Sequence, residues 1–312
     1  MARTIDIHIP ALTGRRAVVT GASDGMGSVI AARLARAGAE VVMPVRDRAK
    51  GNATADRIRS AVPEARLVLR DLDLASLDSV AAFGEGMRAD GDPVHILINN
   101  AGLMTPPERR TTVDGFELQW GTNHLGHLAL FGALFPLLRD GRARVTSQVS
   151  VAARSGAIDW DDLAAERRYR AQAAYSASKI ALGLFGLELD RRSSAGGWGI
   201  SSNLAHPGVA PTNLLAAQPG YGRAADTGAV RVIRWLSARG ILVGTPETAA
   251  LPALLAATGP DARGGRMYGP SGPGHLGGAP AEQALYAPLR DVREAARVWE
   301  VSEQQVGVPL PV

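Results

Sequence analysis

Tyr175 and Lys179 stand four residues apart in the run Tyr175-Ser176-Ala177-Ser178-Lys179. On a helix this spacing puts a phenol and an ammonium on one face, within reach of each other. A phenol near its reference pKa of about 10 is a poor base at neutral pH, and a neighbouring cation favours the phenolate. Such a pair could exchange a proton with an alcohol or a carbonyl. The chain has only two lysines, Lys50 and Lys179, all other basic residues being arginine or histidine. Taken alone, the same spacing also describes an ordinary pair on a helix surface.

A second chemical feature is the turn Thr20-Gly21-Ala22-Ser23-Asp24-Gly25-Met26-Gly27, which follows a β-branched run and precedes an Ala-rich segment. Glycines here allow a tight turn and a close approach of backbone to a pyrophosphate, while the helix start offers free N–H groups and partial positive charge. A loop needing positive φ is the structural alternative. The next β-branched run ends in Val45-Arg46. Proteins selective for NAD usually place an acidic residue there for the ribose 2′-hydroxyl; Arg46 could instead clamp a 2′-phosphate, with Lys50 adding charge nearby.

These residues need a scaffold, and the pattern of the chain indicates one. Strands are expected at 16–20, 40–45, 66–70, 95–99, 142–148, 200–205 and 266–268, with helices at 26–37, 49–61, 77–88, 111–138, 175–192 and 246–257. The alternation predicts an α/β fold, a doubly wound parallel sheet of about seven strands with helices on both faces. No repeat is visible, and 312 residues suit one domain. Gly- and Pro-rich stretches at 218–222 and 259–280 read as long surface loops, and the segment 281–312 carries one helix near 288–300.

Composition removes whole classes of function. There are no cysteines, so thiolate catalysis, disulfides and cysteine-based metal sites are excluded. The net charge of +4 comes from 34 basic and 30 acidic residues mixed along the chain, without the like-charge block of a nucleic-acid arm. No apolar run approaches the roughly 20 residues of a membrane span, and Arg3, Asp6 and His8 interrupt the start, so a cytoplasmic protein is expected. His124, His127 and His206 lack matching carboxylates and are not read as a metal site. Asp161 and Asp162 are read as solvated loop charges, and Trp198 and Trp235 as packing residues.

Thr20-Gly21 to Gly27, Asn99-Asn100-Ala101-Gly102, Asn123-His124-Leu125-Gly126-His127, Ser150, Tyr175 to Lys179 and His206-Pro207-Gly208 follow one another in order. In this the chain resembles the short-chain dehydrogenase/reductase family, most closely its retinol-dehydrogenase-like branch. The resemblance implies a catalytic tetrad of Asn123, Ser150, Tyr175 and Lys179, in which Ser150 bonds the substrate oxygen, Lys179 binds the nicotinamide ribose and lowers the Tyr175 pKa, and Asn123 holds a water in a proton relay. It implies NADP(H) contacts from Gly21, Ser23, Asp24, Gly25, Met26, Gly27, Arg46, Asp73, Leu74, Asn100, Ala101, Gly102, Tyr175, Lys179, Pro207, Gly208, Val209 and Thr212. Asp71 competes with Asp73 for the adenine side. The chain departs from the branch at Gln148-Val149-Ser150-Val151, where adjacent serines are usual; Ser150 takes the catalytic place, with Ser147 the other candidate.

The expected function is thus an NADP(H)-dependent interconversion of an alcohol, of lipophilic type, with its ketone or aldehyde. The alternatives are a carbon–carbon double-bond reductase, as in protochlorophyllide reductases, and a non-catalytic NADP-binding sensor or scaffold. The partner is a small carbonyl or alcohol substrate, with homo-oligomers left open. Two mobile covers are expected, at 152–174 and 210–241, the second carrying Leu214, Leu215, Tyr221, Ile233, Trp235 and Leu236, with residues 270–312 as a C-terminal extension.

Overall fold

The computed structural model describes residues 5–212, 220, 222, 225, 226, 228–239, 242–308 and 310. Eight strands form one sheet: β1 (Arg16–Val19), β2 (Glu40–Val45), β3 (Arg66–Asp71), β4 (Ile96–Asn99), β5 (Arg144–Gln148), β6 (Ser201–Ala205), β7 (Met267–Pro270) and β8 (Pro280–Gln283). Their order is β3-β2-β1-β4-β5-β6-β7-β8, all parallel except β8, which runs antiparallel to β7. The strand order reverses between β1 and β4, and a crevice opens there beyond the carboxyl ends of the strands.

Successive strand residues serve opposite faces. Val18, Val42 and Leu97 join a core with α3 (Leu77–Asp90), α5 (Gly126–Asp140), α6 (Ala171–Gly196) and α9 (Val292–Val306). Their neighbours Val19, Val41, Met43, Ile96 and Ile98 join a second core with α1 (Gly25–Arg36), α2 (Arg48–Ala61) and α8 (Pro246–Thr258). Both faces are covered, which is why β1, β2 and β4 read as apolar runs rather than alternating ones. On the first face Trp299 of α9 stacks on Phe185 of α6, with centroids 5.6 Å apart, and Phe131 of α5 meets both rings edge-on.

Three expectations need correction. The sheet has an eighth strand, because Pro280-Ala281-Glu282-Gln283 carries no apolar run and takes its conformation from pairing with β7; a proline is tolerated on such an edge. The stretch 259–280 is correspondingly not one surface loop, since β7 within it is buried. The single helix expected at 111–138 is broken into α4 (Leu118–Trp120), a π-helical turn (Gly121–Leu125) and α5. Gly126 explains the packing at this junction, because a Cβ there would overlap the Leu74 carbonyl of the β3–α3 loop. Of the second expected cover, α7 (Gly228–Ala238) is described. Leu214, Leu215 and Tyr221 lie outside the described residues.

Candidate active site

The site begins where β1 meets α1. Gly21 has φ of 68°, and a Cβ on Gly27 would overlap the Gly21 carbonyl, so the first turn of α1 can lie against the strand end only with glycines at both positions. Asp24 caps the helix by accepting Gly25 N–H at 2.7 Å. Residues of this turn border a cavity of about 550 Å³, which runs along the carboxyl ends of the strands.

A buried chain of hydrogen bonds holds the opposite lip. Asn100 Nδ2 donates to the Thr20 carbonyl at 2.8 Å, and the Thr20 hydroxyl oxygen accepts the N–H groups of Asn100 and Ala101 at 2.9 Å. That hydroxyl also lies 3.0 Å from His127 Nε2, while His127 Nδ1 lies 3.0 Å from the Asn123 carbonyl. A carbonyl can only accept, so Nδ1 carries the proton and Nε2 accepts from Thr20. Burial, aided by the charge of Lys179, pushes the His127 pKa down to about 4 and keeps the ring neutral.

Arg46, Lys50, Asp73 and Leu74 line the far end of the same cavity, beyond β2 and β3. Lys50, expected to add positive charge, is ion-paired with Asp24. Asp71 is directed away: its carboxylate is exposed and grips Arg48 at 2.5 and 2.9 Å, which lowers its pKa. Asp73 lies on the cavity wall with Oδ1 accepting Ala75 N–H at 2.9 Å. The geometry therefore separates two carboxylates that spacing alone left in competition.

Tyr175, Lys179 and Ser150 meet at the near end of the cavity. Ser150 ends the segment after β5 and caps the 3-10 turn Val151–Arg154, accepting Ala152 N–H at 3.2 Å. Tyr175 is 4% exposed; burial raises its pKa above the ordinary phenol value, and a hydrogen bond with Ser150 pulls it partly back. Lys179 donates from Nζ to the Gln148 carbonyl at 2.9 Å, and burial lowers its pKa to about 8. Burial is the leading influence on the phenol, and its net direction is upward. Both groups are buried, and desolvation disfavours both charged forms.

Ser147, the competing serine, is fully buried beneath the cavity with Asn99 Nδ2 at 3.3 Å and does not line it. Asn123 does not line it either. Its Oδ1 accepts Leu103 N–H at 2.9 Å, and its Nδ2 donates to the Leu103 carbonyl and to Ser178 Oγ, both at 3.0 Å. Its side chain thus clamps the loop after Gly102 to α6.

The other expected contacts, Gly21, Ser23, Asp24, Gly25, Met26, Gly27, Asn100, Ala101, Gly102, Pro207, Gly208, Val209 and Thr212, all border the cavity. The loop after β6 is held by the C-terminal extension. Gly208 N–H donates to His206 Nδ1 at 3.3 Å, His206 Nε2 lies 2.8 Å from Gln283 Oε1 of β8, and Val209 N–H donates to the Leu276 carbonyl at 2.8 Å. Gln283 and Leu276 carry no sequence signal for this task.

Sequence reasoning also passed over Met104, Thr122, Gln148, Val151 and Gln172, which share the wall. Ile233 of α7 lines it too, whereas Trp235 is 52% exposed beneath the Arg239 guanidinium, 4.0 Å from its ring. The first expected cover is tied down at several points: Tyr169 donates to the Pro106 carbonyl at 2.8 Å, Arg109 to the Ala164 carbonyl at 2.8 Å, and Trp160 to Glu294 of α9 at 2.8 Å.

Comparison with known proteins agrees with this geometry. Residues 15–219 match the short chain dehydrogenase family. Human retinol dehydrogenase 13 is 37% identical over 302 residues, covering 96% of this chain and 87% of that protein. Among solved structures, an uncharacterized protein from Mycobacterium paratuberculosis superposes with a TM-score of 0.77 at 34% identity, covering 97% of both chains. The Pseudomonas aeruginosa RhlG/NADP active-site complex superposes with a TM-score of 0.62 at 26% identity, covering 84% of this chain and 96% of that one. The chain belongs to the short-chain dehydrogenase family of oxidoreductases, in its retinol-dehydrogenase-like branch.

Proposed function

We propose that the protein interconverts an alcohol and its ketone or aldehyde with NADP(H). The observation that carries this reading is that Ser150, Tyr175 and Lys179 line the same cavity as the glycine turn at the start of α1. The cavity fits a dinucleotide in its parts. Glycines leave the turn open to a pyrophosphate, and two buried polar atoms of wall residues, Thr122 Oγ1 and Gln148 Oε1, have no protein partner among the described residues.

In this reading residues 21–27 hold the pyrophosphate, Arg46 the 2′-phosphate, Asp73 and Leu74 the adenine, Asn100 to Gly102 the ribose, and residues 207–209 with Thr212 the nicotinamide. When bound, the nicotinamide supplies or takes up a hydride. Ser150 fixes the substrate oxygen, and Tyr175, which burial keeps protonated, donates its proton to that oxygen during reduction. Lys179 bonds the ribose beside it, and Asn123 positions the Leu103 segment. Two hydroxyl residues, Ser150 and Tyr175, on the wall of one cavity suit a carbonyl oxygen, which favours C=O over C=C as the reacting bond. Met104, Val151, Ala210 and Ile233 give the wall an apolar part, consistent with a lipophilic substrate such as the name of retinol dehydrogenase 13 denotes.

The test is NADPH consumption with a panel of ketones and aldehydes, alongside Tyr175→Phe. Turnover by the wild type, lost in a variant that still binds NADPH, is expected. Binding without turnover on any carbonyl would instead indicate a sensor or scaffold.

A further inference from the structure

The side-chain amide of Gln148 has no part in the chemistry above. Gln148 closes β5, and its carbonyl receives Lys179 Nζ. Its neighbours Ser147 and Val149 pack against Gly186 and Gly183 of α6. The two-residue period of the strand therefore turns the Gln148 side chain the other way, toward α1. There its Nε2 lies 3.3 Å from Met26 Sδ, and its Oε1 has no partner among the described residues.

A thioether is a weak acceptor, so a buried primary amide is left with one weak bond and an idle oxygen. Exchanging the amide's oxygen and nitrogen positions does not cure this, because the thioether offers no hydrogen. Gln148 is 3% exposed. Leucine or methionine would fill the same space without an unmet polar group. Both Gln148 and Met26 belong to the cavity wall, which also holds the α1 turn, Tyr175 and Lys179.

We propose that the Gln148 amide is a further cofactor-binding residue, hydrogen-bonding the nicotinamide nucleoside through its carboxamide or a ribose hydroxyl. The proposal rests on the dinucleotide reading of the cavity. Both sources offer the same chemistry, a neutral hydrogen-bonding group beside Lys179. Through its carbonyl, Gln148 then fixes Lys179 while its side chain fixes the ligand, so one residue aligns both.

The experiment is equilibrium binding to wild type and Gln148→Leu, read by calorimetry. The ligands are NADP⁺, its 3-acetylpyridine analogue, which lacks the carboxamide N–H groups, and adenosine 2′,5′-bisphosphate, which lacks the nicotinamide half. The variant should bind NADP⁺ about three- to tenfold more weakly, the range of one neutral hydrogen bond, with unchanged affinity for the bisphosphate and undiminished thermal stability. If the carboxamide is the partner, the acetylpyridine analogue removes the difference between the two proteins; if a ribose hydroxyl is, the difference persists. Equal NADP⁺ affinities, or an equal loss for the bisphosphate, would overturn the assignment. Failure of the wild type to bind the bisphosphate would instead overturn the dinucleotide reading beneath it.

Discussion

Lowering the pH should destabilise this protein well before its ordinary carboxylates titrate, because three buried histidines refuse a proton in the native state. Burial pushes His124 from 6.5 to about 3, and His127 and His206 from 6.5 to about 4. Each ring is used by the fold: His124 meets Ser302 Oγ of α9 at 2.7 Å, His127 links Thr20 to Asn123, and His206 joins the loop after β6 to β8. The sign follows from linkage. The unfolded chain binds these protons below pH 6.5 and the native state does not, so stability is fully present above 6.5 and is lost as pH falls toward 4. Near pH 5 each histidine has lost about 2 kcal/mol, at 1.36 kcal/mol per pH unit, and the three together about 6 kcal/mol. A domain holding only about 5–15 kcal/mol is brought to the edge of unfolding. Glu117 and Asp190, whose carboxyl pKa values burial raises, act in the opposite sense, so slopes are the quantity to compare. The assay is urea unfolding from pH 8 to 5, for the wild type and for His124→Gln and His127→Gln, each of which should flatten the slope. Stability at pH 5 within about 1 kcal/mol of that at pH 7.5 would refute the reasoning.

Arg46→Ala should weaken NADPH and leave NADH nearly unchanged in titrations of both cofactors; equal wild-type affinities would remove the 2′-phosphate assignment. Ser150→Ala should keep the fold and lose most turnover in steady-state assays, while Ser147→Ala, altering a buried residue that holds Asn99, should mainly lower the melting temperature. The reverse pattern would show that the wrong serine was chosen. Trp299→Ala removes a fully buried ring stacked on Phe185 and contacted by Arg192, and should cost about 3–5 kcal/mol in denaturant unfolding. A loss below about 1 kcal/mol would mean that α9 does not help stabilise the α5–α6 face.

What the sequence determined by itself is what local backbone chemistry constrains. Seven of the eight strands overlap segments that the sequence marks as strands, and in β1, β2 and β4 the mark is an apolar run, because a strand buried on both faces is mostly apolar. Gly21 and Gly27 mark a turn that no side chain could make, and Tyr175 and Lys179 share a face because the helical period is fixed. Tertiary structure decided whatever depends on a distant partner. It made a strand of Pro280–Gln283, which has no apolar pattern, by pairing it with β7, and gave Gln283 to His206. It put Asp73 on the cavity wall and turned Asp71 to Arg48, two residues that spacing alone cannot distinguish. Asn123 it withdrew into a clamp on Leu103, through a π-helical turn that no periodicity announces. The direction of the Tyr175 and Lys179 shifts likewise follows burial, a property of the assembled fold, since taking each group out of water disfavours its charged form.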